Sequence, residues 1–318
     1  MVRKFTLAFV VIYALSSCMT SFRISVKKPA VIKLPNEVRK IVLIEDTPNN
    51  TTIETAVEGV LSGEQLNGDK VATETFFNGL AMSLRNGNYT SEKVNRSFDK
   101  INPTTLDTLF LEHDAQAIIV LKNFDSDAPI GGVVVGNVLG NTQTTLIGKA
   151  TLNVYFQDKS NIENILVTER FVLPTSGSLN PLAMLQDVVN RQKWYAELGR
   201  ATGARAGSLF YAPWVWVNRK FYNKGNNDLR QAKNMIRFGN WDIAEKKLTP
   251  LLTHAKNKVQ ARASYNLALV YEGQGRLNDA VTMIEKSALE FNCKKAPDYL
   301  RQLLFRQKEA QLIEQQKE

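Results

Sequence analysis

Four carboxylates are the side chains of this sequence that could carry out hydrolytic chemistry. They lie close to predicted strand ends, where the sites of α/β proteins often form: Glu45, Asp46, Glu112 and Asp114. A carboxylate pair that hydrolyses a glycan has no required spacing in the sequence, so such a pair is one interpretation of these residues. The other is that they are solvated side chains and helix caps, and this is the interpretation that we expect.

The two histidines indicate neither a metal site nor a catalytic triad. His113 and His254 lie far apart, and the sequence contains no H-E-x-x-H, C-x-x-C or G-x-S-x-G motif. The glycine-rich run 131–136 lacks the Lys-Ser/Thr of a phosphate-binding loop. We therefore expect no metal, no cofactor and no enzymatic activity.

Cys18 has the most specific surroundings of any reactive side chain in the sequence. It follows a basic start, an apolar run over residues 5–15, and the small residues Ser16 and Ser17. This is the layout of a secretory signal, and the apolar run is shorter than the roughly 20 residues of a membrane-spanning helix. Once Cys18 is modified, Cys293 is the one remaining cysteine, so we expect no intramolecular disulfide.

Leu15-Ser16-Ser17-Cys18 resembles a bacterial lipobox. The resemblance implies that Cys18 receives a diacylglyceryl group, becomes the mature N-terminus and is acylated again, which anchors the protein to a membrane. In some bacterial lipoproteins, acidic residues just after this cysteine direct the protein to the cell surface. Residues 19–36 contain none. We therefore expect an outer-membrane lipoprotein that faces the periplasm.

Charge is distributed unevenly along the chain. Residues 18–190 contain 15 basic and 19 acidic side chains, a net charge of −4, whereas residues 191–318 contain 23 and 12, a net charge of +11. A basic half is typical of proteins that bind nucleic acid, an anionic surface or an acidic protein, and also of solvated helix faces. The export signal makes nucleic acid an unexpected partner.

The N-terminal half predicts an α/β domain with a mixed sheet covered by helices. Two apolar, β-branched runs at 38–45 and 115–124 predict buried strands. The other predicted elements are helices at 52–61, 69–86 and 102–113, an edge strand within 89–98, and a hairpin of strands at 146–156 and 165–173. Residues 131–136, within a segment rich in Gly, Asn and Val, are predicted to be a loop.

A long helix is predicted from Pro181 to Phe210. Gly199, Gly203 and Gly207 lie on one of its faces, which predicts close packing on the sheet. A strand over 214–221 is expected to close the same sheet. Eight aromatic residues between 194 and 222 predict the core of a domain junction, with a glycan-stacking surface as the alternative.

Residues 225–318 show a helical repeat. Gly239-Asn240-Trp241-Asp242-Ile243-Ala244 recurs 36 residues later as Gly275-Arg276-Leu277-Asn278-Asp279-Ala280. The pattern resembles the tetratricopeptide repeat, whose period is about 34 residues. Two copies are fewer than the three that usually stand alone, so we expect a third, capping helix over 297–316.

Short motifs extend a family resemblance over nearly the whole chain. They are the lipobox, Glu45-Asp46, Arg219-Lys220-Phe221-Tyr222, and Gly239-Asn240-Trp241 before Ala244. Together they resemble an uncharacterised family of Gram-negative envelope lipoproteins with a C-terminal tetratricopeptide-like module. The resemblance implies architecture and location but no activity.

These observations predict a signal peptide at 1–17, a tether at 18–37, an α/β domain at 38–224, and tetratricopeptide-like repeats with a capping helix at 225–318. We expect a non-enzymatic, lipid-anchored envelope lipoprotein that acts as a scaffold or protein-binding module. The alternative is a lipid-anchored enzyme that acts on glycan or peptidoglycan through carboxylates.

The expected partner-binding groove is the face formed by the first helix of each repeat. Its residues are Leu229, Lys233, Ile236, Arg237, Arg262, Tyr265, Leu269 and Glu272. This mixture of apolar and cationic side chains suits an extended segment with acidic residues or a carboxyl terminus, which arginine can bind with two hydrogen bonds. The alternative is that the α/β domain packs on this face and fills it.

Overall fold

The computed structural model describes residues 19–46, 68–96, 101–127, 145–172 and 191–317. These residues contain seven strands and eight α-helices, divided between two compact units. One unit is residues 30–213, and the other combines the chain up to residue 29 with the chain from residue 214 onward. No described helix has the length and apolarity needed to cross a membrane. Several predicted features lie outside the described residues: the signal peptide at 1–17, Cys18, the helix at 52–61, the loop at 131–136 and the start of the helix at Pro181.

The unit of residues 30–213 is built on a mixed five-stranded sheet with the strand order β3-β2-β4-β5-β6. β2 is parallel to β3 and β4, whereas β5 is antiparallel to β4 and β6. The bounds are β2 Lys40–Glu45, α1 Gly68–Asn86, β3 Thr90–Val94, α2 Pro103–His113, β4 Ala117–Asp127, β5 Thr145–Phe156, β6 Asn161–Val172 and α3 Arg191–Gly207. The predicted α/β class is confirmed.

The sheet is buried on both faces at its centre because successive side chains of a strand point to opposite sides. Ile41 and Leu43 of β2 pack with α1 and α3, and Val42 and Ile44 pack with α2. The apolar run that predicted this strand is continuous because both faces of the strand pack against helices.

The glycines of α3 allow it to approach α1, not the sheet as predicted. A Cβ atom added at Gly203 would lie 1.9 Å from the Phe76 carbonyl oxygen, and one at Gly199 would lie 2.0 Å from that of Ala72. On α1, a Cβ at Gly79 would lie 2.0 Å from the Arg200 carbonyl oxygen. The two helix backbones meet at distances that only glycine permits.

The second unit is helical apart from two strands. Its bounds are β1 Met19–Lys27, β7 Trp214–Tyr222, α4 Asn227–Arg237, α5 Trp241–Leu248, a 3-10 helix Thr249–Thr253, α6 Asn257–Gly273, α7 Leu277–Leu289 and α8 Ala296–Gln315. The predicted helical C-terminal region is confirmed, and α8 lies where the capping helix was expected.

The turn after α4 and the turn after α6 have the same backbone conformation. Gly239 and Gly275 have φ values of 73° and 78°, a region that L side chains rarely adopt. The residues that follow them, Asn240 and Arg276, have nearly identical torsions, with φ/ψ of −82°/64° and −83°/65°. The sequence repeat thus corresponds to a repeated structural turn.

β1 and β7 form an antiparallel two-stranded ribbon, in which Met19 lies opposite Tyr222 and Lys27 opposite Trp214. The sequence predicted a tether over 18–37 and placed the strand at 214–221 in the large sheet. Residues 19–27 instead supply the partner of that strand. Ile24, Val26 and Phe221 bury their side chains in the helical core, which is the reason that the two strands belong to this unit.

Candidate functional site

The four candidate carboxylates are surface groups with local partners. Lys93 Nζ lies 3.5 Å from Glu45, and Arg96 lies 3.6 Å from Glu112. Asp46 forms an ion pair with Lys122. Asp114 is the C-cap residue of α2, in the left-handed conformation. Three of these acids therefore form ion pairs, and the fourth caps a helix.

The structure brings the eight predicted groove residues together on α4 and α6. Six of them are buried: Leu229, Ile236, Arg262, Tyr265, Leu269 and Glu272. Lys233 is half-buried and Arg237 is exposed. Most of the predicted groove is therefore an internal surface of the helical unit.

The ribbon and the loop after β7 contact α6 at two of these groove residues, Arg262 and Tyr265, and at Asn266. Asn266 of α6 makes two hydrogen bonds to the backbone of Tyr222: its Oδ1 accepts from the amide at 2.9 Å, and its Nδ2 donates to the carbonyl at 2.8 Å. Arg262 donates to the Lys224 carbonyl at 2.6 Å, and the ring of Tyr265 packs edge-on against that of Tyr222. Helix α6 thus binds an extended segment of its own chain through side chain-to-backbone hydrogen bonds.

A buried ion pair joins β7 to α6. Arg219 donates two hydrogen bonds to Glu272, from Nε to Oε2 at 2.7 Å and from Nη2 to Oε1 at 2.6 Å. Tyr299 of α8 donates to the same carboxylate at 2.7 Å. The Glu272 side chain is completely inaccessible to solvent, and the Arg219 side chain is 8% exposed. Each charge is stabilised mainly by the other, because water cannot solvate either of them. Arg306 lies farther from the same carboxylate, at 3.9 Å.

The environment fixes the protonation of this cluster. Burial acts to lower the pKa of Arg219, but the hydrogen bonds and charge of Glu272 outweigh it, and the pKa is raised. Burial, reinforced by the charge of Glu272, raises the pKa of Tyr299 well above its ordinary value. Arg219 therefore stays cationic and Tyr299 stays a neutral hydrogen-bond donor.

Two depressions keep part of the predicted groove accessible. One, of about 540 Å³, lies against the start of α4 and is lined by residues 223–227, Arg230 and Lys233. The other, of about 470 Å³, is lined by Phe22, Arg23, Trp216, Ile236 and Arg237. Among the described residues that line these depressions, the charged side chains are arginine and lysine. Both can accept an anionic group.

Sequence reasoning missed the contribution of β1 to the second depression. The signal was the alternation Phe22, Ile24, Val26 against Arg23 and Ser25, which is typical of a half-buried strand. It also missed that Trp214 and Trp216 are exposed, since the aromatic-rich segment predicted a buried junction. Phe210 and Phe221 of that segment are buried as expected.

A search of curated proteins found no match. Among solved structures, a minor lipoprotein from Acinetobacter baumannii is similar at 11% identity, over 56% of this chain and 98% of that chain, with a TM-score of 0.23. A TM-score of that size does not indicate a shared fold.

Two family models match the chain. Residues 230–308 match a domain of unknown function, DUF6340, which covers most of the helical repeat region. Residues 38–222, more than half of the chain, match a second domain of unknown function, DUF8603. The chain therefore belongs to the DUF8603 family.

Proposed function

We propose that this protein is a non-enzymatic lipoprotein of the bacterial envelope whose helical unit binds an extended, acidic segment of a partner protein. The observation that carries the binding proposal is the accessible cationic face of α4. Arg230, Lys233 and Arg237 follow the three- and four-residue spacing that places side chains on one face of a helix. Each lines one of the two depressions described above.

The helical unit is a tetratricopeptide-like module in this proposal. The support is the 36-residue repeat, in which Gly239 and Gly275 end equivalent helices with the same torsions. Ala244 and Ala280 occupy equivalent positions in the following helices, and both are completely buried. Such modules bind extended segments on the face of their first helices, which here are α4 and α6. The ribbon does not cover the part of α4 that carries Arg230, Lys233 and Arg237, and a partner can bind there.

The anchor in this proposal is a lipid on Cys18, at the outer membrane and facing the periplasm. The sequence Leu15-Ser16-Ser17-Cys18 supports the lipid, and the absence of acidic residues in 19–36 supports the orientation. Several acyl chains together hold a protein on a bilayer essentially permanently.

Cys18→Ser should abolish anchoring. Without the thiol no diacylglyceryl group can be attached, so the variant should remain unprocessed or leave the membrane fraction. Detergent partitioning and mass analysis of the N-terminus measure this. Cys293→Ser is the matched control, since Cys293 is a free, buried cysteine, and it should leave anchoring unchanged.

A wild-type protein that begins at another residue, or that begins at Cys18 without lipid, would contradict the anchor. Digestion of intact cells with an external protease tests the orientation. Cleavage without lysis would place the protein on the cell surface instead.

Charge reversal on α4 should abolish partner binding without loss of fold. Lys233→Glu with Arg237→Glu changes the charge of the binding face by four, while Arg237 is exposed and Lys233 is half-buried. We expect the partner to be lost from pull-downs of solubilised envelopes, with a melting temperature close to that of the wild type. The effect follows from repulsion between the new carboxylates and an acidic segment.

Lys256→Glu with Lys258→Glu is the matched control. It makes the same change in net charge at two exposed positions where α6 begins, neither of which lines a depression, and binding should persist. Retained binding in the α4 variant would overturn the proposal. An unfolded α4 variant would show that these cations support the fold and that the partner binds elsewhere.

A further inference from the structure

The outer face of the ribbon exposes two tryptophans. Trp214 and Trp216 are each 68% exposed, and they alternate along β7 with Val215 and Val217, which pack toward the helices. Because alternate residues of a strand share a face, both indoles lie on the side of the ribbon opposite the helical core. Two large aromatic side chains on one solvent-facing strand surface indicate a contact that the isolated chain does not make.

The same face is cationic and lacks acidic residues. Arg23 lies opposite Asn218, Lys27 opposite Trp214, and Ser21 opposite Lys220, so all these side chains share the outer face. Neither strand contains an aspartate or a glutamate. Among the described residues, no ion pair neutralises Arg23, Lys27 or Lys220. The face therefore combines indole rings with unneutralised positive charge.

Indole rings and cations together match the boundary between lipid headgroups and water. Tryptophan favours this boundary because its ring is amphipathic, and lysine and arginine are attracted to anionic headgroups. A protein partner would have to match both the rings and the charge along the ribbon. A bilayer meets both requirements along its whole surface.

The position of the ribbon in the sequence favours a bilayer as the surface that its outer face contacts. β1 begins at Met19, the residue immediately after Cys18, and it is nine residues long, so it spans roughly 30 Å. A lipid on Cys18 would hold one end of this strand at the bilayer. Contact of the rest of the ribbon with the same bilayer would then be an intramolecular event at high effective concentration, for which a small face suffices.

We propose that the outer face of the ribbon, through Trp214, Trp216, Arg23, Lys27 and Lys220, lies on an anionic lipid surface. Arg23 and Trp216 also line the depression beside Arg237, so the bilayer covers the ribbon side of that depression and leaves its α4 side to the partner segment. This inference rests on the proposed anchor at Cys18. In this arrangement the lipid attaches the protein, and the ribbon sets the orientation of the helical unit at the membrane.

Quenching by brominated lipid tests the contact directly. The full mature chain with its lipid is reconstituted into vesicles that contain phosphatidylglycerol with brominated acyl chains. We expect tryptophan fluorescence to be quenched, and the quenching to be lost in the variant Trp214→Phe with Trp216→Phe. The matched control, Trp194→Phe with Trp241→Phe, removes the two tryptophans outside the ribbon and should retain the quenching.

A charge variant separates the ribbon from the anchor. Arg23→Glu with Lys27→Glu and Lys220→Glu should lose the quenching while the protein still sediments with the vesicles through its lipid. Vesicles made only of phosphatidylcholine, with the same brominated acyl chains, should likewise give anchoring without quenching. They carry the quencher but lack the negative surface charge.

The outcomes distinguish the two proposals. A protein that sediments with anionic vesicles but shows no quenching overturns the ribbon contact and leaves the anchor intact. Binding to isolated peptidoglycan that depends on Trp214 and Trp216, without quenching, also overturns it in favour of glycan stacking. A wild-type chain that does not sediment contradicts the anchor, and with it this inference.

Discussion

Gly203→Ala should destabilise the unit of residues 30–213 by about 3 kcal/mol or more, since overpacking of this kind forces backbone shifts. In an exposed helix the same substitution stabilises by about 1 kcal/mol, so the sign of the effect is the test. The new Cβ would lie 1.9 Å from the Phe76 carbonyl oxygen, which belongs to the backbone of α1 and cannot rotate away. The two helices would have to separate, and the core between them and the sheet would open.

Urea denaturation followed by circular dichroism measures the effect, and hydrogen exchange of β4 assigns the transition to this unit. Ala204→Ser is the matched control because the neighbouring Ala204 is exposed on the same helix. It should change stability by a few tenths of a kcal/mol, the difference in helix propensity. A Gly203→Ala variant as stable as the wild type would show that α1 and α3 do not pack backbone to backbone.

Local signals in the sequence predicted elements whose cause is itself local. Asn102 followed by Pro103 predicted the start of α2, and the Asn102 side chain accepts a hydrogen bond from the Thr105 amide at 2.9 Å. The apolar run over 38–45 predicted β2, because a strand buried on both faces needs no alternation. Gly239 and Gly275 predicted two turns that require a positive φ.

The pairing of distant segments was not predictable in the same way. The sequence of β1 alternates, but the strand that completes it lies almost 200 residues later, at 214–222. Either β7 or an edge of the large sheet could have satisfied its backbone groups. The packing partner of the glycine-bearing face of α3 was likewise undetermined, since a helix and a sheet both permit close approach at glycine.

For the candidate site, too, the sequence pattern does not identify which segment packs on a given helix face. A helix face with apolar and cationic residues has the same sequence pattern whether it contacts a partner protein or its own chain. Arg262 and Glu272 illustrate this, because both are bound by the segment that contains β7 and the loop after it. Arg237 keeps the exposure that binding requires.

Glu272→Gln should destabilise the helical unit by about 3–5 kcal/mol, the usual consequence of removing one partner from a buried ion pair. The amide keeps the shape of the side chain and an acceptor for the Tyr299 hydroxyl. It removes the negative charge that compensates Arg219, whose side chain is 8% exposed. The cation would have to stay buried without a counter-charge, or pull β7 away from α6 to reach water.

Chemical denaturation of the single variants and of Arg219→Met with Glu272→Gln measures the coupling between the two residues. The double variant should recover most of the lost stability, because methionine fills the space of the arginine stem and removes the cation that Glu272 compensates. Arg306, 3.9 Å from Glu272, keeps its closer ion pair with Glu309 at 2.9 Å. Asp298→Asn is the matched control on α8: its ion pair with Arg301 is exposed, with side-chain accessibilities of 60% and 74%, so stability should change little. Equal, small effects of Glu272→Gln and Asp298→Asn would mean that water reaches Arg219 in solution. The ribbon would then be only loosely attached to α6, and the internal face of the predicted groove could open to a partner.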